Sequence, residues 1–109
     1  MTAIDEYLTE NRDALEDDLC ELLRIPSISA DSLYADDMLR AARWLHDSFA
    51  NSGIPVEMIS TDGYPIVYAE TPAVEGAPIA LVYGHYDVQP PDPMDLWETP
   101  PFEPTKRDG

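Results

Sequence analysis

The chain has 109 residues, with 22 acidic side chains against six basic ones and a formal net charge of −16. That balance excludes nucleic acid as a partner, because phosphate binding needs basic groups that displace counterions. It disfavours an anionic membrane surface for the same electrostatic reason. An apolar share of 44% suffices for a modest core, and the length suits one domain.

Aspartate outnumbers glutamate by 13 to nine, and Lys106 is the sole lysine. Carboxylate-rich, lysine-poor surfaces stay hydrated when salt screens their self-repulsion, so the composition leads us to expect a salt-adapted source, the plainer alternative being an acidic soluble bacterial protein. Cys20 is the sole cysteine, which precludes an internal disulfide and fits a reducing cytoplasm. The first residues, Met1-Thr2-Ala3-Ile4-Asp5-Glu6, lack the basic and apolar regions of a signal peptide. No stretch approaches the length of a membrane span.

Residues 4–24 are predicted to form one amphipathic helix. Ile4, Leu8, Leu15, Leu19, Leu22 and Leu23 recur on one face at helical spacing. Thr2 followed by Asp5 resembles a capping box, with Asp5 and Glu6 placed at the positive helix end. Cys20, beside the apolar stripe, is expected to be inert packing. Pro26 should end the helix, since the residue before a proline disfavours the helical region. A second helix is expected over residues 36–52, with Met38, Ala41, Ala42, Leu45 and Phe49 inward and Gly53 supplying a left-handed stop.

Strands are expected at residues 56–60 and 66–70, with a turn at Thr61-Asp62-Gly63 between them. Residues 73–77 should form a loop. Residues 78–83 are apolar at nearly every position, as in a strand covered on both faces. Helices followed by strands predict an α/β or α+β sandwich. Beyond Gln89 the chain reads as a stiff loop, with six prolines among residues 89–104. A long loop after a strand-end histidine suits the wall of a site.

The run Ile79-Ala80-Leu81-Val82-Tyr83-Gly84-His85-Tyr86-Asp87-Val88-Gln89-Pro90 places a histidine at a strand end and a carboxylate two residues on. Neutral imidazole is the commonest transition-metal ligand, and a nearby carboxylate can fix its tautomer and raise its basicity. A rigid strand end loses little freedom on binding. His-x-Asp alone recurs by chance, and an isolated histidine is more often buried or solvated than a ligand.

With Gly84-His85-Tyr86-Asp87-Val88-Gln89-Pro90, then Trp97 and Pro101-Phe102-Glu103-Pro104, the chain resembles the opening of the co-catalytic zinc metallopeptidases of the M-twenty family. That group includes carnosinase-like dipeptidases, glutamate carboxypeptidases, acetylornithine deacetylases and succinyl-diaminopimelate desuccinylases. Tyr86 and Val88-Gln89-Pro90-Pro91 are nearest the dipeptidase branch, and Leu23-Arg24-Ile25-Pro26-Ser27-Ile28-Ser29 is similar to how such enzymes begin. The resemblance covers the whole chain and is most specific over residues 81–104.

The resemblance implies an incomplete N-terminal part of an α/β/α catalytic domain over residues 1–109. His85 would be a metal ligand and Asp87 the active-site carboxylate that clamps its ring. Two divalent ions are implied, zinc first, with manganese or cobalt as alternatives. The implied reaction is hydrolysis of the amide bond of a dipeptide or N-acyl amino acid. The bridging aspartate, the paired glutamates, the other ligands and a lid domain that makes a homodimer do not map onto this chain. The chain alone is therefore expected to be inactive, and no general base is assigned.

Other polar groups have plainer readings. His46 has no partner at ligand spacing. Trp97 and Phe102 pack the proline loop, although they could line a cleft. Asp92 and Asp95 cap and solvate that loop. Glu16-Asp17-Asp18 is a solvated helix face, because carboxylates on consecutive helical residues cannot converge on one ion. A second hypothesis of a different class stays open: a stand-alone acidic α/β binding or interaction module without catalysis. A glycine-rich segment with an Asp-Asp or Asp-Asn pair and then a Glu-Glu pair beyond Gly109 would favour the enzyme; a stop codon there would favour the module. A final strand without neighbours is expected to leave apolar edges open to association.

The charge balance yields the first prediction. The melting temperature should rise as salt is increased from low ionic strength, because screening relieves carboxylate repulsion. A thermal melt that does not shift upward with salt removes the case for salt adaptation.

Overall fold

The computed structural model describes all 109 residues, Met1–Gly109. The chain divides into two compact units, one of residues 1–25 with 91–109 and the other of residues 26–90. Three α-helices and one two-stranded antiparallel sheet make up its regular structure. The α/β class expected from the sequence is the one observed.

The first unit carries α1 (Ala3–Glu10) and α2 (Arg12–Leu23). The Thr2 hydroxyl accepts from the Asp5 amide at 3.2 Å, and Asp5 Oδ2 accepts from the Thr2 amide at 2.9 Å, completing the expected capping box. The expected single helix over residues 4–24 is, however, two helices. Asn11 interrupts it with φ −105° and ψ 11°, and its side-chain amide donates to the Tyr7 carbonyl at 2.9 Å. A short amide side chain thus competes with the helical backbone for that carbonyl. The apolar stripe is also less covered than expected: Ile4, Leu8, Leu15, Leu19 and Leu23 are exposed. In the same unit Lys106 Nζ meets Glu16 Oε1 at 2.8 Å, and Trp97 Nε1 donates to the Pro91 carbonyl at 2.7 Å. The indole therefore ties the proline-rich loop to itself. One turn of 3-10 helix, Met94–Leu96, lies inside that loop.

The second unit carries α3 (Ala35–Asn51), entered through a 3-10 turn at Ser32–Tyr34. The Asp31 carboxylate caps that turn by accepting from the Leu33 amide at 2.9 Å. Asp36 and Asp37 occupy the first turn of α3, where the helix dipole favours negative charge. Met38, Ala41 and Ala42 are buried, as the spacing implied, whereas Phe49 is exposed. Gly53, at φ +76°, closes the helix: its amide reaches the Ala50 carbonyl and the Ile54 amide reaches the Phe49 carbonyl, both at 3.0 Å. This pair of bonds is a Schellman motif, and the left-handed backbone it needs is free of strain only for glycine.

Strands β1 (Val56–Ile59) and β2 (Ile66–Ala69) pair antiparallel, with Val56 opposite Ala69 and Met58 opposite Val67. Those four residues are half-buried, while Glu57, Ile59, Ile66 and Tyr68 are exposed. Both strands pack against α3, so alternation along the pleat divides the hairpin into an inner and an outer face. In the connecting turn Thr61 Oγ1 accepts from the Gly63 amide at 3.0 Å and donates to the Tyr64 carbonyl at 2.7 Å.

The expected inner strand over residues 78–83 is not formed. Ile79, Leu81, Val82 and Tyr83 are 88–96% exposed and belong to no strand. A strand covered on both faces needs backbone partners beside it and apolar layers above and below. In this chain residues 78–83 pair with neither β1 nor β2 and have no apolar layer over them. No helix is long and apolar enough to cross a membrane.

The capping box makes a pH prediction. The Thr2 hydroxyl and then the Thr2 amide hold the Asp5 carboxyl below its ordinary value. A depressed folded-state pKa contributes stability above the unfolded value, and that contribution is lost as pH falls through the folded one. Asp5→Asn should therefore lower helicity at neutral pH, and the deficit should vanish on acidification through the folded-state pKa of Asp5. Circular dichroism of both chains against pH checks this; a deficit independent of pH contradicts it.

Candidate metal-ligand site

The residues singled out by the His-x-Asp motif lie in the second unit, where a short stretch after the first proline holds them. Ser27 and Ile28 are 3% and 1% exposed. Ile28 and Val88 form an isolated parallel bridge, and the Val88 amide donates to the Ser27 carbonyl at 2.8 Å. Pro26 sets up this stretch by ending helical geometry, which frees the next residues to lie beside residues 86–88.

Both serines reinforce the bridge with side-chain hydroxyls. Ser27 Oγ donates to the Tyr86 carbonyl at 2.7 Å, and Ser29 Oγ donates to Asp87 Oδ2 at 2.5 Å. Tyr86 adds a third tie, its phenol donating to the Pro65 carbonyl in the β1–β2 turn at 2.7 Å. Burial, and then the Asp87 charge, push the Tyr86 phenol above its ordinary pKa, so it remains a donor in neutral solution.

The structure brings His85 and Asp87 together. His85 Nδ1 lies 2.8 Å from Asp87 Oδ1 and 3.0 Å from the Asp87 backbone carbonyl. Two acceptors around one ring nitrogen require that nitrogen to carry the proton. The neutral ring therefore has its lone pair on Nε2, the atom through which an imidazole held in this way can bind a metal. The His85 side chain is 74% exposed and that of Asp87 39%, so the ring edge is reachable. The Ser29 hydrogen bond, assisted by His85 and opposed by desolvation, holds the Asp87 carboxyl below the usual carboxylate range. Asp87 is thus an anion across the neutral range.

No group of three or more His, Cys, Asp or Glu side chains is arranged to hold a metal ion. The donor chemistry at His85 nevertheless fits a borderline-soft divalent ion, since it offers a neutral imidazole with an outer carboxylate. His46 lies on α3 and meets only the adjacent Asp47 carboxylate, at 3.0 Å. Ser27 and Ser29 entered sequence reasoning only as part of the helix-breaking run that resembles the family's opening, with no role of their own, for their partners lie 59 and 58 residues away.

No protein-family model matches the chain. Sequence relatives do. It is 37% identical over 89 residues to the succinyl-diaminopimelate desuccinylase of Bordetella pertussis, an alignment covering 82% of this chain and 21% of that protein. It is 33% identical over 110 residues to the cysteinylglycine-S-conjugate dipeptidase of Corynebacterium striatum, covering 99% of this chain and 24% of that protein. Among solved structures, the M20 family metallo-carboxypeptidase Sso-CP2 of Sulfolobus solfataricus superposes with a TM-score of 0.71 at 37% identity, over 83% of this chain and 20% of that one. The chain thus spans between a fifth and a quarter of the length of the relatives it matches. Its homologues are those that the motif resemblance implied, a desuccinylase, a dipeptidase and an M20 metallopeptidase.

The bridge makes a structural prediction. Ser27→Ala removes the donor to the Tyr86 carbonyl and should cost about 1–3 kcal/mol, the range for leaving a buried polar group unpaired. Denaturant unfolding should show that loss, and the Val88 amide should exchange faster with solvent. An unchanged midpoint with unchanged Val88 exchange contradicts the importance of the bridge.

Proposed function

From this kinship with the M20 metallopeptidases, we propose that residues 1–109 are the N-terminal part of the catalytic domain of a metal-dependent amidohydrolase. The substrate class is a dipeptide or an N-acyl amino acid, cleaved at its amide bond. The observation that carries the reading is the His85–Asp87 contact at 2.8 Å, which puts the proton of a neutral ring on Nδ1 and the lone pair on Nε2 of an exposed side chain.

His85 would hold one of two divalent ions, zinc in the first place and manganese or cobalt as alternatives. When bound, such ions supply Lewis acidity and lower the pKa of water toward neutrality. Asp87 keeps the His85 ring in one tautomer and one orientation and stabilises positive charge that develops on it. Ser27 and Tyr86 keep the peptide that bears both residues from shifting. Three protein ligands are the usual minimum for a catalytic zinc, so the remaining ligands and the general base would come from sequence outside residues 1–109. That requirement agrees with the share of each relative's length that the chain covers. A lid domain in the same outside sequence would make the homodimer.

The exposed residues 79–83 also support the reading. Their side chains suit a strand inside a larger sheet, and burial stabilises each large apolar side chain by about 1.5–3 kcal/mol.

The test uses the full-length protein with zinc or manganese against dipeptides and N-acyl amino acids. Amide hydrolysis should appear with metal and vanish with a chelator. His85→Ala should abolish it with the fold intact by circular dichroism, and Asp87→Ala should lower activity or metal affinity by about 10–100-fold. The 109-residue chain should show no hydrolysis under the same conditions. Full activity and undiminished metal binding after His85→Ala would falsify the assignment.

A further inference from the structure

We propose that Ser29 is a positioning residue, which pins the far oxygen of Asp87 so that the near oxygen fixes His85 as the Nδ1–H tautomer. The inference rests on the reading of His85 as a metal ligand and extends that site by one residue.

The argument starts from what Asp87 must do. Its Oδ1 sits 2.8 Å from His85 Nδ1 while its Oδ2 sits 2.5 Å from Ser29 Oγ. One carboxylate therefore has each oxygen held by a different donor. A carboxylate held through one oxygen alone can swing about its Cβ–Cγ bond. The Asp87 side chain is 39% exposed, so water could replace the ring as its partner. Ser29 opposes that rotation, because any swing that withdraws Oδ1 from His85 also breaks the serine hydrogen bond. The bond is charge-assisted, which makes it stronger than a neutral one.

Ser29 can serve as a fixed point because its own backbone is fixed. Ile28, its neighbour, is 1% exposed and bridges to Val88, and Ser27 holds the Tyr86 carbonyl and the Val88 amide. The serine hydroxyl is also short, so it loses little rotamer freedom on binding. The resulting relay runs from a buried isoleucine through Ser29 and Asp87 to an exposed imidazole. Its consequence is chemical. A free neutral imidazole side chain favours the Nε2–H tautomer, which offers the wrong nitrogen to an incoming ion. In this site two Asp87 oxygens surround Nδ1 and reverse that preference.

Ring nitrogen-15 spectra of His85, recorded on the 109-residue chain above the pH at which histidine is neutral, read the tautomer directly. Wild type should show Nδ1 protonated and Nε2 bare. Ser29→Thr keeps the hydroxyl and should keep that pattern. Ser29→Val has the shape of threonine without the hydroxyl, and should shift the tautomer ratio toward Nε2–H by about tenfold, the effect of losing one hydrogen bond to a charged group. Ser29→Ala should do the same and replaces the valine variant if valine does not fold. Protection of the Val88 amide, bonded to Ser27, checks that the peptide bridge persists. Tautomer ratios in Ser29→Val and Ser29→Ala equal to those in Ser29→Thr overturn the inference.

A second arm separates this failure from failure of the ligand reading. In the full-length protein, zinc affinity measured by chelator competition should fall about tenfold in Ser29→Val and further in His85→Ala. Unchanged zinc affinity in His85→Ala sinks the ligand reading. A loss in His85→Ala with none in Ser29→Val or Ser29→Ala leaves that reading standing and sinks the role of Ser29.

Discussion

Ser27 Oγ, buried beneath the bridge, donates to the carbonyl of Tyr86, and the Ser27 carbonyl accepts from the amide of Val88. Two bonds from one residue thus bracket Asp87 from either side along the chain. Removing a residue's backbone freedom costs about 1–2 kcal/mol, a sum that surface hydrogen bonds alone rarely offset. The offset here comes from burial, for Ile28 lies between the two serines and is almost wholly covered. Apolar burial fixes the stretch, the fixed stretch fixes the hydroxyls, and the hydroxyls fix the segment that carries His85 and Asp87. The polar geometry of the candidate site therefore depends on one isoleucine more than on any charged residue.

What could be read from the sequence was local. The Thr2–Asp5 box and the stop at Gly53 involve bonds spanning three to five residues, so residue type and spacing were enough to place them. The β1–β2 hairpin was legible from two short apolar runs with a Thr-Asp-Gly turn between them. His85 and Asp87 are two residues apart and could reach each other in many backbone conformations. Asn11 is a local case that failed: helical periodicity continued through it, and the competing amide bond left no mark in the apolar pattern.

The serines failed for a different reason. Ser27 and Ser29 find their partners across 58 to 59 residues, and hydroxyls after a proline carry no periodic signal. Residues 78–83 illustrate the converse. Their composition is that of an inner strand, but composition states what surroundings a segment needs without supplying them. A chain with one two-stranded sheet leaves those needs unmet, and the residues stay exposed. The relatives that this chain matches are about four times as long, and the chain aligns with only 21% and 24% of them.

Rigidity and access are usually in conflict at a ligand atom, because the packing that immobilises a side chain also covers it. In residues 85–88 the two requirements fall on different atoms. Immobilisation acts on the Tyr86 carbonyl, the Val88 amide and Asp87 Oδ2, all held from one side by residues 27–29. Access is left to the far edge of the His85 ring, on a side chain that is 74% exposed. Only Nδ1 is engaged, so the hydrogen bonds that orient the ring occupy none of the surface that a ligand needs. A buried histidine could be held as firmly but would pay desolvation on charging. An exposed one without Asp87 would be open but free to rotate and to exchange tautomers. Placing the acid between a packed serine and an open imidazole separates the two functions, and it does so with three side chains drawn from two short stretches of the chain.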